Sequence, residues 1–247
     1  MAIVALTITI NLGLFFLGGG AVHWWFHGRL RERESEWKHQ PGRFQSRRDM
    51  LAKLPLVLLN GLIIQLATGL GIWAMCEGHT RAFWGLEEHG TFYAVLSTLA
   101  MFLWYHVALY YVHRAMHHPQ LFRRFHHIHH EHKAPMFLDA LYEHPVEALW
   151  GAFVLTAPLY LFPIYAWSYF LFIAVVGVHE ILDHAGINLN VPLLSKSSAH
   201  DEHHRRSSCY YGQLLPFLDR IHGCELPDPA NWRARSRDQQ RPAQPRD

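Results

Sequence analysis

Three uncharged stretches, Ala2–Val22, Leu54–Met75 and Thr91–Val112, dominate the first half of this chain. Each is near the ~20 residues a helix needs to cross a hydrocarbon core. Lys53 and Glu77 bound the second, and the third runs straight into His113. A fourth, Ala148–Val178, is uncharged for 31 residues, with Pro158 and Pro163 near its middle. That is long for one span and short for two full ones. Histidine clusters flank it at 113–132 and 179–204. A single crossing would leave them on opposite faces, whereas a helical hairpin returns them to the same face. The expected fold is therefore an all-α integral membrane protein of four to five transmembrane helices.

Orientation follows from Lys and Arg. The segment 28–53 carries Arg29, Arg31, Arg33, Lys38, Arg43, Arg47, Arg48 and Lys53, whereas loop 76–90 carries only Arg81 against Glu77, Glu87 and Glu88. This bias puts segment 28–53, all histidine clusters and the C-terminus on the cytoplasmic side, in a bacterial inner membrane or endoplasmic reticulum. Ala2–Val22 lacks a positive n-region and exceeds a usual signal-peptide core, so it reads as an uncleaved first span. Residues 1–226 read as one membrane-embedded domain with its catalytic region at about 92–224. The Pro- and Arg-rich stretch 227–247 reads as a disordered basic tail. A net charge of +2 gives no argument for nucleic acid, and Cys76, Cys209 and Cys224 form no CxxC pair.

Histidine is the compositional outlier, at 21 residues. His113 and His117 form an HxxxH at the end of the third span. His126, His129 and His130 form an HxxHH, and His200, His203 and His204 form a second. Residues three and four apart share a helical face. Eight imidazoles on three faces are too many for one ion and suit two; imidazole accepts Zn, Cu, Fe and Ni alike. His179 and His184, five apart, fall on different sides of an ideal helix. Glu180, His144 and Asp201 are expected to orient ligating imidazoles from behind. His23, His27, His39, His79, His89 and His222 read as surface or capping residues, and His106 as a packing residue. Trp104, Tyr105, Tyr110 and Tyr111 read chiefly as an interfacial aromatic belt.

At these residues the chain resembles the fatty acid hydroxylase and sterol desaturase superfamily. The boxes HRxxH, HxxHH and HDxHH occur in order between His113 and Gly223. The flanking stretches 125–135 and 142–147 are similar to those of C4-methylsterol oxidases, and 183–188 and 211–223 to the family's later elements. Leu218 stands where a Trp often precedes Asp-Arg, Ile187 replaces a usual Tyr, and His179 replaces another polar residue. The resemblance implies a helical membrane bundle capped by a cytosolic di-metal site. Its implied ligands are His113, His117, His126, His129, His130, His184, His200, His203 and His204, with His179 as a further candidate.

The resemblance also implies two iron ions, replaceable by zinc on purification. They would hydroxylate, desaturate or methyl-oxidise a lipid, sterol or fatty acyl in type, taken from the bilayer. Oxygen and a separate electron donor, cytochrome b5-like or ferredoxin/reductase, would be required. Two other classes fit the sequence less well. A membrane metal transporter needs polar ligands along the spans, which hold few. A zinc-dependent membrane hydrolase needs one open ion, for which the imidazoles are too many.

Overall fold

The computed structural model describes residues 1–189, 197–213 and 215–225. The expected disordered tail, 227–247, lies outside them. The described residues are helical, with no named strand and only two isolated bridges, Lys38 to Ile187 and Phe83 to Tyr165.

Helix α1 spans Ala2–His23 and continues through a π-helical turn, Trp24–Arg29. Helix α2, Arg47–Cys76, starts at a reciprocal cap. Ser46 Oγ accepts from Asp49 N at 3.1 Å, and Ser46 N donates to the Asp49 carboxylate at 3.2 Å. Two backbone donors that open a helix without partners are thereby satisfied. Helix α3 spans Gly90–Met116. These three and α5, Ala166–Asp183, are long and apolar enough to cross a membrane.

The long uncharged stretch is a hairpin. Helix α4, Pro145–Thr156, runs out, continues through the short helix Pro158–Leu161, and α5 runs back. At ~1.5 Å per residue, residues 145–161 cover roughly 25 Å, close to the ~30 Å of a hydrocarbon core. The bend is fixed at the far end against the loop after α2. Phe83 N donates to Ile164 O, Ala166 N to Phe83 O, and Arg81 N to Leu159 O. The return limb packs Tyr169, Phe172 and Val176 against Met101 and Tyr105 of α3 and Ile72 and Met75 of α2. Tyr105 and Tyr110 are buried, so neither belongs to an interfacial belt.

The hairpin brings the flanking histidines to one end of the bundle, beside segment 28–46. That segment is a strap. Its Lys38 bridges Ile187, His39 N donates to Gly186 O, and Gln40 Nε2 donates to Lys133 O and Asp201 Oδ2. His27 and His39, expected at the surface, are buried and bond Ala185 O and Ser197 Oγ. Under the strap Lys53 of α2 forms a buried ion pair with Asp139, whose other oxygen accepts from Met136 N and Gln45 Nε2.

Helices α1 and α2 approach where Gly69 faces the Val4 backbone. A Cβ there would stand 3.2 Å from Val4 Cα. With no hydrophobic drive between apolar helices in lipid, such close approach is what associates them. Gly69→Leu is expected to separate α1 from α2 and lower the thermal midpoint in detergent, whereas Gly13→Leu, with open space around it, is expected to leave the midpoint unchanged.

Candidate metal centre

Helix α3 ends at Met116 with His117 as its cap. The chain then turns through Pro119–Leu121 and the π-helical turn Phe122–His126. The first HxxHH box therefore lies in a wide turn rather than on the α-helical face its spacing suggested. The second box lies on α6, Ser197–Arg206, and the whole of its HDxHH stretch is buried.

Nine imidazoles fall into two groups. The first holds His113, His117, His126, His130 and His203; the second holds His129, His184, His200 and His204. Within each group the candidate ligand atoms lie within 4.8 Å of one another. Each HxxHH box divides between the two. In the first box the i, i+4 pair His126 and His130 goes to one group and His129 to the other. In the second box His200 and His204 go together and His203 crosses over. Rings of different groups remain adjacent, with centroids 5.5 Å apart for His129–His130 and 4.9 Å for His130–His204.

The spacing of the nitrogens fits shared cations. Nε2 of His126 lies 3.0 Å from Nε2 of His117 and 3.2 Å from that of His130. Nε2 of His200 lies 2.9 Å from that of His184 and 3.1 Å from that of His204. Two nitrogens bound at ~2.1 Å to one ion, at right angles, stand about 3.0 Å apart.

Proton placement points the same way. His113 Nδ1 donates to Tyr211 O at 2.9 Å, His203 Nδ1 to Cys209 O at 2.7 Å, and His184 Nδ1 to Glu180 O at 3.0 Å. Carbonyl acceptors require Nδ1–H, so in each neutral ring the inward Nε2 carries a lone pair. Nε2 of His113 and His203 are buried and have no hydrogen-bond partner among the described residues. Burial also keeps the rings neutral, the ligating form. It holds His129 and His184 down to about 3, and lowers His126, His200, His203 and His204 well below the ordinary range.

The acceptors are themselves braced. Asp219 of α7, Phe217–Ile221, accepts from Tyr211 N and Gly212 N, both at 2.9 Å, and so fixes the carbonyl that receives His113. Ser207 and Tyr210 adopt φ of 58° and 54°, a left-handed turn that non-glycine residues rarely hold. This turn points Cys209 O back at His203.

Other sequence expectations fare differently. His179 lies in neither group. His144 caps α4, accepting from Val146 N at 3.2 Å, and its ring packs on Phe125. The buried carboxylate behind an imidazole is that of Glu147, three residues on, which accepts from His126 Nδ1. Glu180 meets His184 through its main chain; its carboxylate is 3.7 Å away and takes the Tyr105 hydroxyl at 3.0 Å. Asp201 takes Gln40, and no imidazole hydrogen bond to it is present among the described residues. The spacing from His144 to Glu147 signals only the reciprocal cap, in which His144 N donates to Glu147 Oε1 at 3.2 Å; the reach of the other oxygen to His126 has no sequence signal.

Four membrane-length helices and a largely buried end group of nine imidazoles define a membrane protein with a histidine-rich site. The chain belongs to the fatty acid hydroxylase family, whose model matches residues 98–224, as the resemblance in its boxes implied. It is 32% identical over 155 residues to fatty acid hydroxylase domain-containing protein 2 of Macaca fascicularis, covering 58% of this chain and 44% of that one. It is 27% identical to a Delta(7)-sterol 5(6)-desaturase of Gibberella zeae, covering 60% and 47%. Against methylsterol monooxygenase 1 of Rattus norvegicus it is 30% identical, covering 47% and 42%. The matched stretch thus spans under half the length of these relatives. No solved structure matches the chain.

Two outcomes follow. Asp219→Ala is expected to weaken binding of one ion, by the ~10–100-fold typical of outer partners, when the apoprotein is titrated with metal. Acid is expected to destabilise the apoprotein. Unfolded histidines protonate near 6.5, whereas His129 and His184 stay neutral down to about 3. The unfolded state then binds more protons, so stability is complete above pH 6.5 and falls as pH drops toward 3. Thermal midpoints of metal-free protein across that range check this.

Proposed function

We propose that this chain is a membrane-bound di-iron oxygenase that hydroxylates, desaturates or methyl-oxidises a lipid, sterol or fatty acyl in type. One observation carries the reading: nine neutral imidazoles divide into two adjacent groups with ion-sharing spacings. His113, His117, His126, His130 and His203 would hold one iron, and His129, His184, His200 and His204 the other. The relatives that match this stretch include a desaturase and a monooxygenase of sterols by name, which supports oxidation of a lipid.

The iron pair, when bound, would supply activation of O2 with electrons from a separate donor protein. The chain's own residues do the rest. Backbone carbonyls of Tyr211, Cys209 and Glu180 orient three rings, and burial of the groups keeps bulk water away. A groove lined by Tyr111, Arg114, His117 and Tyr211 reaches the first group at the end of α3. It offers a route for an apolar substrate drawn from the bilayer. The Lys and Arg bias supports a cytoplasmic site and C-terminus.

A transport route along the spans is disfavoured, because they hold few polar side chains and some of these are engaged with one another or with backbone. Asn11 bonds Gln65, and Asn60 bonds Leu141 O and Glu143 O.

The test is lipid profiling of a deletion strain, then turnover of the accumulated lipid by purified protein under oxygen-18. The expected result is label in the product or oxygen-dependent unsaturation, with about two irons per chain. His130→Ala and His204→Ala, one from each group, are each expected to lose metal and at least ~100-fold in turnover, since even outer partners cost 10–100-fold. Full metal content and full turnover in both variants would overturn the assignment.

A further inference from the structure

Each group has one central ring. His126 Nε2 faces both His117 and His130, and His200 Nε2 faces both His184 and His204. Both central rings also turn their opposite nitrogen to a buried carboxylate. Glu147 accepts from His126 Nδ1. Asp183 Oδ2 stands 3.3 Å from His200 Nδ1, close but not aligned as a formed hydrogen bond. The other rings differ. His113, His203 and His184 give their Nδ1 to neutral backbone carbonyls, and His130 Nδ1 meets the Ser207 hydroxyl at 3.1 Å.

These two carboxylates are the third residue of α4 and the last of α5. The two limbs of one hairpin thus deliver one acid to each group. Both acids are buried, and among the described residues neither has a Lys or Arg ion-pair partner. Of the two buried lysines among the described residues, Lys53 is committed to Asp139, and Lys38 lies in the strap beside Ile187. An isolated buried carboxylate is costly unless an opposite charge balances it. A cation in the space that each ring's Nε2 faces would supply that charge from the far side of the ring.

We propose that Glu147 and Asp183 are the positioning residues of the two ion sites, Glu147 acting through His126 on the first and Asp183 through His200 on the second. This rests on the two-ion reading of the site. Each acid fixes its ring as the Nδ1–H tautomer, strengthens Nε2 as a donor and offsets one positive charge of its own ion. The sites are then separately tunable although their rings touch.

The experiment uses full-length protein in detergent, reconstituted with iron-57 and washed against a chelator. Glu147→Gln and Asp183→Asn keep shape while removing charge. The wild type is expected to keep two irons and show two Mössbauer doublets. Each variant is expected to bind one iron ~10–100-fold more weakly, losing one doublet, and the two variants are expected to lose different ones. The doublet each variant retains reports that it is folded. Glu147→Asp, which restores charge, is expected to recover part of the lost affinity. Wild-type affinity for both irons in Glu147→Gln and Asp183→Asn would overturn the proposal, because the acids would then be protonated or idle. Loss of both doublets together in either variant would also overturn it. A wild type that never holds two irons would instead sink the two-ion reading itself.

Discussion

The structure is organised around nine imidazoles crowded into two adjacent groups, each of which could hold a metal ion. Three rings are held by carbonyl acceptors so that their lone pairs point inward, and burial removes the option of protonating them. Nitrogens this crowded must be held in register by what surrounds them; Nε2 of His184 lies 2.9 Å from that of His200. The surrounding features answer that demand. The wide turn at Phe122–His126, the left-handed turn at Ser207 and Tyr210, and the Asp219 brace each hold a ring or its acceptor in place. Such sites spend backbone strain and buried polarity on preorganisation.

Much of this was legible in the sequence because it is periodic or compositional. The uncharged stretches mark the spans, and the position of the boxes on either side of Ala148–Val178 requires the hairpin. The nine imidazoles brought together are among the ten that the boxes and the resemblance named, and His179 lies in neither group. Their division was not legible: helical spacing puts His126, His129 and His130 on one face, yet the turn sends His129 to the other group. A face tells which way a ring points, but not which of two adjacent ions it would meet.

The partners behind the rings were the hardest to read. Carbonyls of Tyr211 and Cys209 carry no sequence signature, since any residue supplies one. Of the residues expected to orient a ring, His144 and Asp201 stood inside recognisable motifs, but local geometry decided otherwise. His144 is consumed in capping α4, and Asp201 faces the strap. Glu147 and Asp183 are set by how the hairpin limbs end, which is a property of tertiary structure. His27 and His39 were misread for the same reason, because the strap that buries them has no periodic pattern.

That strap has a wider consequence. The family match begins at residue 98 and contains every clustered histidine. Yet Gln40, Gln45 and Lys53, all upstream, hold the loop at 133–139 and the start of α6. The family-matched stretch therefore carries the clustered histidines but depends on residues outside it to hold its loop and α6. A change in the upstream segment would thus reshape what covers this chain's histidine core while leaving every clustered histidine in place.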